Sequence, residues 1–131
     1  MRQKVILRMR DGQMKRCTTF SHFSAAYTKI KVLTTDGEVE SVDLADLKAI
    51  FFVRDFAGNP DYRPLKEFVP DSPKAGLSVT VRFGDGEMLR GKVINLAEQC
   101  PGFFLFPADP NENNLKVFVV RAVDTAVEVG P

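Results

Sequence analysis

The chain has very few of the residues from which enzyme active sites and metal centres are usually built. Its 131 residues include one histidine, two cysteines and no tryptophan. A histidine-based metal site or hydrolytic triad would have to form around His22, and the surrounding CTTFSHFS has no known nucleophile spacing. Cys17 and Cys100 form no CxxC pair and so provide no metal-ligand spacing. The sequence therefore predicts a protein that is not an enzyme and has no metal or organic cofactor.

Long apolar runs are also absent. No segment approaches the roughly 20 apolar residues that cross a bilayer, and the amino-terminal MRQKVILRMR has three consecutive apolar residues. This run is too short for the core of a signal peptide. We therefore expect a soluble, cytoplasmic protein with no membrane partner. Its cysteines are either two buried free thiols, as a reducing compartment favours, or a Cys17–Cys100 disulfide.

Charge is balanced overall but segregated along the chain. The net charge is +1, yet residues 1–35 hold eight basic residues and one acid, and residues 36–72 hold nine acids and four bases. Two interpretations are open. Basic and acidic strands can lie side by side and pair across a sheet, or the basic segment can form a surface for an anionic partner.

An internal repeat organises the chain. When Asp11-Gly12 is aligned with Asp85-Gly86, VILRMRDGQMKRC (5–17) lies on VTVRFGDGEMLRG (79–91) with six identities at an offset of 74 residues. Farther along, IKVL (30–33) corresponds to GFFLF (102–106), and VDLADLKAIFFV (42–53) to FVVRAVDTAVEV (118–129), where the offset becomes 76. We interpret this pattern as the duplication of one supersecondary unit.

Each unit reads as short strands and tight turns. Val79, Val81 and Phe83 alternate with polar residues, which is typical of a half-buried strand. The Asp-Gly that follows predicts a hairpin. A three-residue loop with Gly86 in the left-handed region would place Phe83 opposite Glu87 and keep the apolar residues on one face. A second hairpin is predicted at residues 35–38.

These observations predict an all-β protein with two tandem small β-barrel repeats. The first repeat covers residues 1–53 and the second covers residues 77–131. Residues 54–76 contain four prolines together with several large apolar residues. Prolines exclude a regular helix or a central strand there. A flexible tether would not need the apolar residues, so an ordered, Pro-rich connector is expected to join the barrels.

The second repeat resembles the Sm-like proteins, whose small barrels share much of their layout with SH3-like barrels. VTVRFGDGEMLRGKV (79–93) is similar to the first Sm motif, and Asp85, Gly86 and Gly91 match its pattern. VVRAVDTAVEV (119–129) is similar to the second motif, with Arg121 matching and Ala122 in place of a glycine. The resemblance implies the fold and, through it, RNA binding as an alternative function.

The chain departs from the Sm pattern where RNA bases would be contacted. The aspartate and asparagine that do this in the family would fall near Ala97 and Pro101, and Cys17 replaces the motif glycine in the first repeat. The arginines that would serve an anionic or RNA partner are Arg8, Arg16, Arg82, Arg90 and Arg121.

A second resemblance is to uncharacterised bacterial domains in which an FFV-x-DF-x-GNP segment precedes a GFFLFPADP-x-x-NN segment. Both segments are present in this chain, at residues 51–60 and 102–114. Such domains look like accessories to signalling proteins, which implies a non-enzymatic adaptor that binds a protein partner or self-associates.

The second repeat also supplies a candidate partner-binding patch. The strand at residues 102–106 is apolar on both faces, so its outer face needs a cover, either the connector or another subunit. Polar residues follow it, as in an interface with an apolar core and a polar rim. They do not make a calcium loop, because Asn114 stands where a glycine is needed. The predicted partner-binding residues are Phe104, Phe106, Asp109, Asn111, Asn113 and Asn114.

Overall fold

A computed structural model shows the all-β architecture that the sequence predicts. It describes residues 3–20, 23, 27–56, 77–93, 101–107, 113–122 and 124–129. In this part of the chain a single 3-10 turn, Leu44–Asp46, is the only helical element. The strands are β1 (Lys4–Met9), β2 (Met14–Thr19), β3 (Lys29–Thr34), β4 (Val39–Asp43), β5 (Leu47–Val53), β6 (Leu77–Arg82), β7 (Met88–Val93), β8 (Gly102–Pro107), β9 (Asn114–Val120) and β10 (Ala126–Val129).

All ten strands belong to one antiparallel sheet, whereas the sequence suggested two separate barrel sheets. The strand order is β10-β6-β7-β8-β9-β5-β1-β2-β3-β4. Each half repeats the same order, since the fifth strand of a repeat lies beside its first, and the second, third and fourth follow. The halves are joined because β9, the fourth strand of the second repeat, pairs with β5, the fifth strand of the first.

The sheet has two hydrophobic cores, which lie on opposite faces of this junction. Along β5, Ile50 and Phe52 enter the core of the first repeat, while Phe51 and Val53 enter the core of the second. The residues of β9 alternate in the same way between the two cores. Strands that are buried on both faces are expected to be almost continuously apolar. The runs AIFFV (49–53) and VFVV (117–120) are therefore explained by a wall that the two repeats share.

The predicted turn is confirmed, and it occurs three times among the described residues. Gly12, Gly37 and Gly86 are the described residues with positive φ, at 95°, 86° and 93°. In the third turn the Phe83 amide donates to the Glu87 carbonyl at 2.8 Å, and the Gly86 amide donates to the Phe83 carbonyl at 3.0 Å. The other two turns have the same pair of backbone bonds. Glycine is suited to these positions because it has no Cβ that opposes a left-handed backbone.

The strand register corrects the repeat alignment in its last two strands. Cys17 pairs with Thr34 as its counterpart Gly91 pairs with Pro107, so the third strands correspond at an offset of 73 residues and Ile30 matches Phe103. Ile30 pairs with Val42 and Phe103 with Val119, so Val42 corresponds to Val119. This is an offset of 77 residues and not the 76 suggested by the sequence. A one-residue slip moves every side chain of a strand to the other face. The 76-residue alignment would have matched Val42 with Phe118, but Val42 faces the core of its own repeat whereas Phe118 faces the core of the other one.

Residues 57–76, which contain nearly all of the predicted connector, lie outside the described residues. The described part of the chain contains no helix that is long and apolar enough to cross a membrane.

Gly91 provides a test of the contact between β7 and β8. A Cβ at this position would lie 2.2 Å from the backbone oxygen of Phe106, which cannot withdraw without disturbing the pairing of the two strands. We expect Gly91→Ala to lower the free energy of unfolding by about 1–3 kcal/mol through overpacking. Urea denaturation would measure this loss as a lower midpoint at unchanged m-value. Arg16→Ala, at an exposed position in β2, is the control, and equal stability of the two variants would contradict the prediction.

Candidate interaction surfaces

Within the described part of the chain, the two outermost strands each have one backbone edge with no neighbouring strand. Among the described strands, β4 pairs with β3 alone and β10 pairs with β6 alone. Exposed valines lie on both edges, with Val39 exposed by 51% and Val129 by 57%. Each edge also carries carboxylates, among them Glu40 and Glu128. An edge with unpaired amides and carbonyls is a template for another strand, and charged side chains restrict which strand can add.

On the outer face of β8, the ring of Phe104 packs against rings of the first repeat and of β9. Phe104 is half-buried, and its ring centroid lies 5.1 Å from that of Phe118, 6.0 Å from that of Phe52 and 6.2 Å from that of Phe23. The sequence left the connector and another subunit as the candidate covers. In the structure, residues of the first repeat and of the shared wall pack on Phe104. Phe106 is half-buried and lies opposite Lys92 in β7.

A lysine packs over two rings of this aromatic cluster. The Lys116 ammonium lies 4.9 Å from the centroid of the Phe52 ring and 4.7 Å from that of Phe104. A cation over an aromatic face is favourable, and the aliphatic stem of the lysine covers apolar surface. The cluster is therefore closed by side chains of the same chain.

The polar rim of the predicted patch is described only in part. Asp109 and Asn111 lie outside the described residues. The Asn113 amide group donates to the Asp55 carbonyl at 2.8 Å, and its side-chain oxygen accepts from the Asp55 amide at 3.1 Å. Asn113 therefore holds the start of β9 to the chain that follows β5. Asn114 pairs with Val53 at the start of the junction.

The five arginines proposed for an anionic partner lie in different surroundings. Arg16 is exposed on β2, and the Arg82 Nε atom lies 3.3 Å from Glu128 Oε1. Arg121 lies with its guanidinium carbon 5.1 Å from the Phe103 ring centroid. Arg8 and Arg90 are the two that line a common groove.

This groove lies between the repeats and has a volume of about 250 Å³. Its walls come from both repeats and are partly apolar, with Phe51 and Leu105 among them. The Arg8 guanidinium lies 5.3 Å from the Phe51 ring centroid and 3.5 Å from Glu87 Oε1. The groove thus combines apolar walls with arginines, although a carboxylate already neutralises one of them.

Ion pairs also connect the repeats at the turn between β6 and β7. The Lys48 side chain is 14% exposed, and its ammonium lies 2.6 Å from Asp85 Oδ2 and contacts Glu87. It also lies 4.6 Å from the centroid of the Phe83 ring. The hydrogen bond from Lys48, followed by one from the Glu87 amide, holds the pKa of Asp85 below its ordinary value. Lys48 of the first repeat thus contacts two carboxylates of the second, Asp85 and Glu87.

The segregated charges seen in the sequence have two kinds of partners. Within the first repeat, Lys15 pairs with Glu40 at 3.3 Å and Lys29 with Asp43 at 3.6 Å, so basic and acidic strands do meet across the sheet. Arg8 in contrast pairs with Glu87 of the second repeat, as described above. Part of the amino-terminal positive charge is therefore neutralised within the protein.

Within the described ranges, no group of three or more His, Cys, Asp or Glu side chains is arranged to hold a metal ion. Cys17 is a buried free thiol, and burial is the main cause that raises its pKa. A raised pKa keeps the thiol protonated, which makes it a weak nucleophile. His22 and Cys100 lie outside the described residues.

Replacing Lys48 with methionine should raise the pKa of Asp85, because the hydrogen bond that lowers it is lost. In the wild-type protein a depressed pKa contributes stability above the unfolded-state pKa, and this contribution is lost as the pH falls through the folded-state value. The wild type should therefore lose more stability on acidification than Lys48→Met does. NMR titration of the Asp85 carboxyl carbon measures the shift, and Lys29→Met should leave it unchanged. An identical Asp85 titration in wild type and Lys48→Met would contradict this account.

Replacing Phe104 with alanine should destabilise the fold, since the ring packs against three others. We expect a loss of about 3 kcal/mol, the low end for Phe→Ala in a core because the side chain is half-buried. Thermal or urea unfolding would measure this. The control is Leu77→Ala, at a side chain that is 48% exposed, where a change within about 0.5 kcal/mol is expected. Wild-type stability in Phe104→Ala would instead leave this ring available to a partner.

Comparison with known proteins identifies a family. Residues 1–130 match the family described as "Family of unknown function (DUF6982)", and the chain belongs to this family. No curated protein and no solved structure matches the chain.

Proposed function

We propose that this DUF6982 member is a non-enzymatic protein-interaction module, an adaptor or assembly factor of a bacterial cytosolic signalling system. The observation that carries the proposal is the open sheet. Two strands, β4 and β10, each have one neighbour among the described strands, and both carry exposed valines beside charged residues. An extended segment of a partner can add to such an edge through backbone hydrogen bonds.

We further propose that each repeat is a small barrel of the Sm-like or SH3-like kind, with an ordered connector between the two. The repeated strand order and the identical turns at Gly12 and Gly86 support this assignment. Each repeat also has a core of its own. Fold alone does not determine function, so the adaptor proposal depends on the edges and not on the barrel.

RNA binding is the second candidate. The groove between the repeats supports it, because Arg8 and Arg90 line that groove. Two features oppose it. Arg8 and Arg82 are already paired with carboxylates, and three of the five candidate arginines, Arg16, Arg82 and Arg121, are not among the residues that line the groove. Phosphate contacts would make RNA binding weaken steeply with added salt.

Substitutions on the strand edges distinguish these functions. Val39→Lys combined with Val129→Lys should abolish capture of partners from the native host, since lysine on an edge opposes strand addition. Met88→Lys is the matched control, because Met88 is 41% exposed but lies on β7, which has neighbours on both sides. Affinity purification with quantitative mass spectrometry, with and without ribonuclease, would measure the bound set.

Partners lost only in the edge variant and insensitive to ribonuclease support the adaptor function. A bound set that disappears with ribonuclease, together with salt-sensitive binding of labelled single-stranded RNA, would establish the RNA alternative. A bound set that is the same in all three proteins would contradict binding at the edges.

A further inference from the structure

The junction between the repeats shows how this sheet can be extended. There the fourth strand of one repeat, β9, pairs antiparallel with the fifth strand of the other, β5. The open edges are the remaining fourth and fifth strands, β4 and β10. A second copy of the chain could therefore place its β10 against β4 in the geometry that the molecule already uses between its own halves. Such a contact is head-to-tail and would generate open chains or rings.

The register of the junction predicts which residues would meet. At the junction Phe51 lies opposite Val117, both buried in the core of the second repeat. The fifth strands correspond at an offset of 77, because Phe52 pairs with Val5 as Val129 pairs with Val79. The fourth strands have the same offset, as shown above. The equivalent contact between copies would therefore place Glu128 opposite Glu40.

The flanking positions of this contact are compatible with pairing. The junction pairs Phe52–Lys116, Ile50–Phe118 and Ala49–Val119 translate into Val129 opposite Val39, Val127 opposite Ser41 and Ala126 opposite Val42. The first and last of these are apolar pairs of the kind found between strands, and the middle pair places a serine opposite a valine without adding charge. The obstacle to head-to-tail addition is therefore confined to the carboxylate pair, because like charges directly opposite each other destabilise a sheet.

We propose that the β4 edge binds an extended partner segment with a basic residue opposite Glu40, and that Glu40 excludes a second copy because that copy presents Glu128. The preferred segment has apolar residues opposite Val39 and Val42 on either side of its lysine or arginine. Glu40 lies beside Lys15, but its side chain is 38% exposed and an exposed pair of this kind is weak. It can accept a second cation from an added strand. This inference rests on the proposed function.

Charge exchange between the two edges tests the inference without knowledge of the natural partner. Glu128→Lys turns β10 of each copy into the basic segment that β4 should bind, and Glu40→Lys makes the reverse change. We expect both single variants to associate head-to-tail, so that their mass in sedimentation velocity rises with concentration and falls with added salt. The wild type and the Glu40→Lys/Glu128→Lys double variant should not associate in this way.

The controls separate this effect from net charge and from misfolding. Asp36→Lys makes the same charge change in an exposed turn outside both edges and should not associate. Circular dichroism and thermal unfolding would verify that each variant is folded. If Glu40→Lys does not fold because Lys15 is near, Glu128→Lys alone still decides the question, since its partner Arg82 is exposed.

Three outcomes would overturn the inference. They are a Glu128→Lys variant that does not associate, association of the double or Asp36→Lys variant to the same extent, and wild-type association that neither edge substitution changes. If the inference fails, the adaptor function is still supported as long as the Val39 and Val129 substitutions remove partners. The two failures can therefore be told apart.

Discussion

The pairing of β5 with β9 is the contact on which the rest of the structure depends. It joins the two repeats into one sheet, and it buries both faces of the strands that form it. Each strand therefore contributes to two cores, with Phe52 on one side and Phe51 on the other. Burial of a phenylalanine side chain contributes about 1.5–3 kcal/mol, so a repeat separated from its neighbour would expose much of what stabilises it. The two halves are better regarded as one cooperative unit than as two domains on a tether.

Local features of the fold could be predicted from the sequence because local chemistry determines them. The Asp-Gly turns at Gly12 and Gly86 require a residue that tolerates a left-handed backbone, and the alternation of Val79, Val81 and Phe83 fixes which face of β6 is buried. The repeat itself was visible in six identities. Each of these signals lies within about a dozen residues, where turn type and side-chain period leave few alternatives.

The joining of the repeats could not be read in the same way, although its signal was present. The runs at residues 49–53, 102–106 and 117–120 are apolar on both faces, which is the pattern of a strand buried on both sides. This pattern does not tell which strands lie beside it. The sequence offered no means of deciding that Phe104 packs on the core of the first repeat. The 76-residue offset failed for a related reason, since a single inserted residue reverses the faces of a strand while leaving its apolar character intact.

The candidate site depended on topology even more strongly. The apolar outer face of β8 predicts a cover for Phe104 and Phe106, and the core of the first repeat supplies that cover for Phe104. The edges could not be identified in the sequence, because any strand of a repeat can be an edge until its neighbours are known. What the sequence does contain is a difference between equivalent strands. At the junction the paired positions are Phe51 and Val117, whereas at the open edges the same positions hold Glu128 and Glu40.

This difference explains how two copies of the repeat can pair within one chain while the same pairing between two chains is opposed. A strand edge has the same backbone groups wherever it occurs, so backbone hydrogen bonding would favour further addition as much as it favours the junction. Selectivity must therefore come from side chains. Apolar residues at the junction gain burial on both faces when the strands pair, while carboxylates at the outer edges would lose water and meet like charge. Two carboxylates at one register position are enough to make the pairing within the chain and the pairing between chains unequal, without any change in the fold.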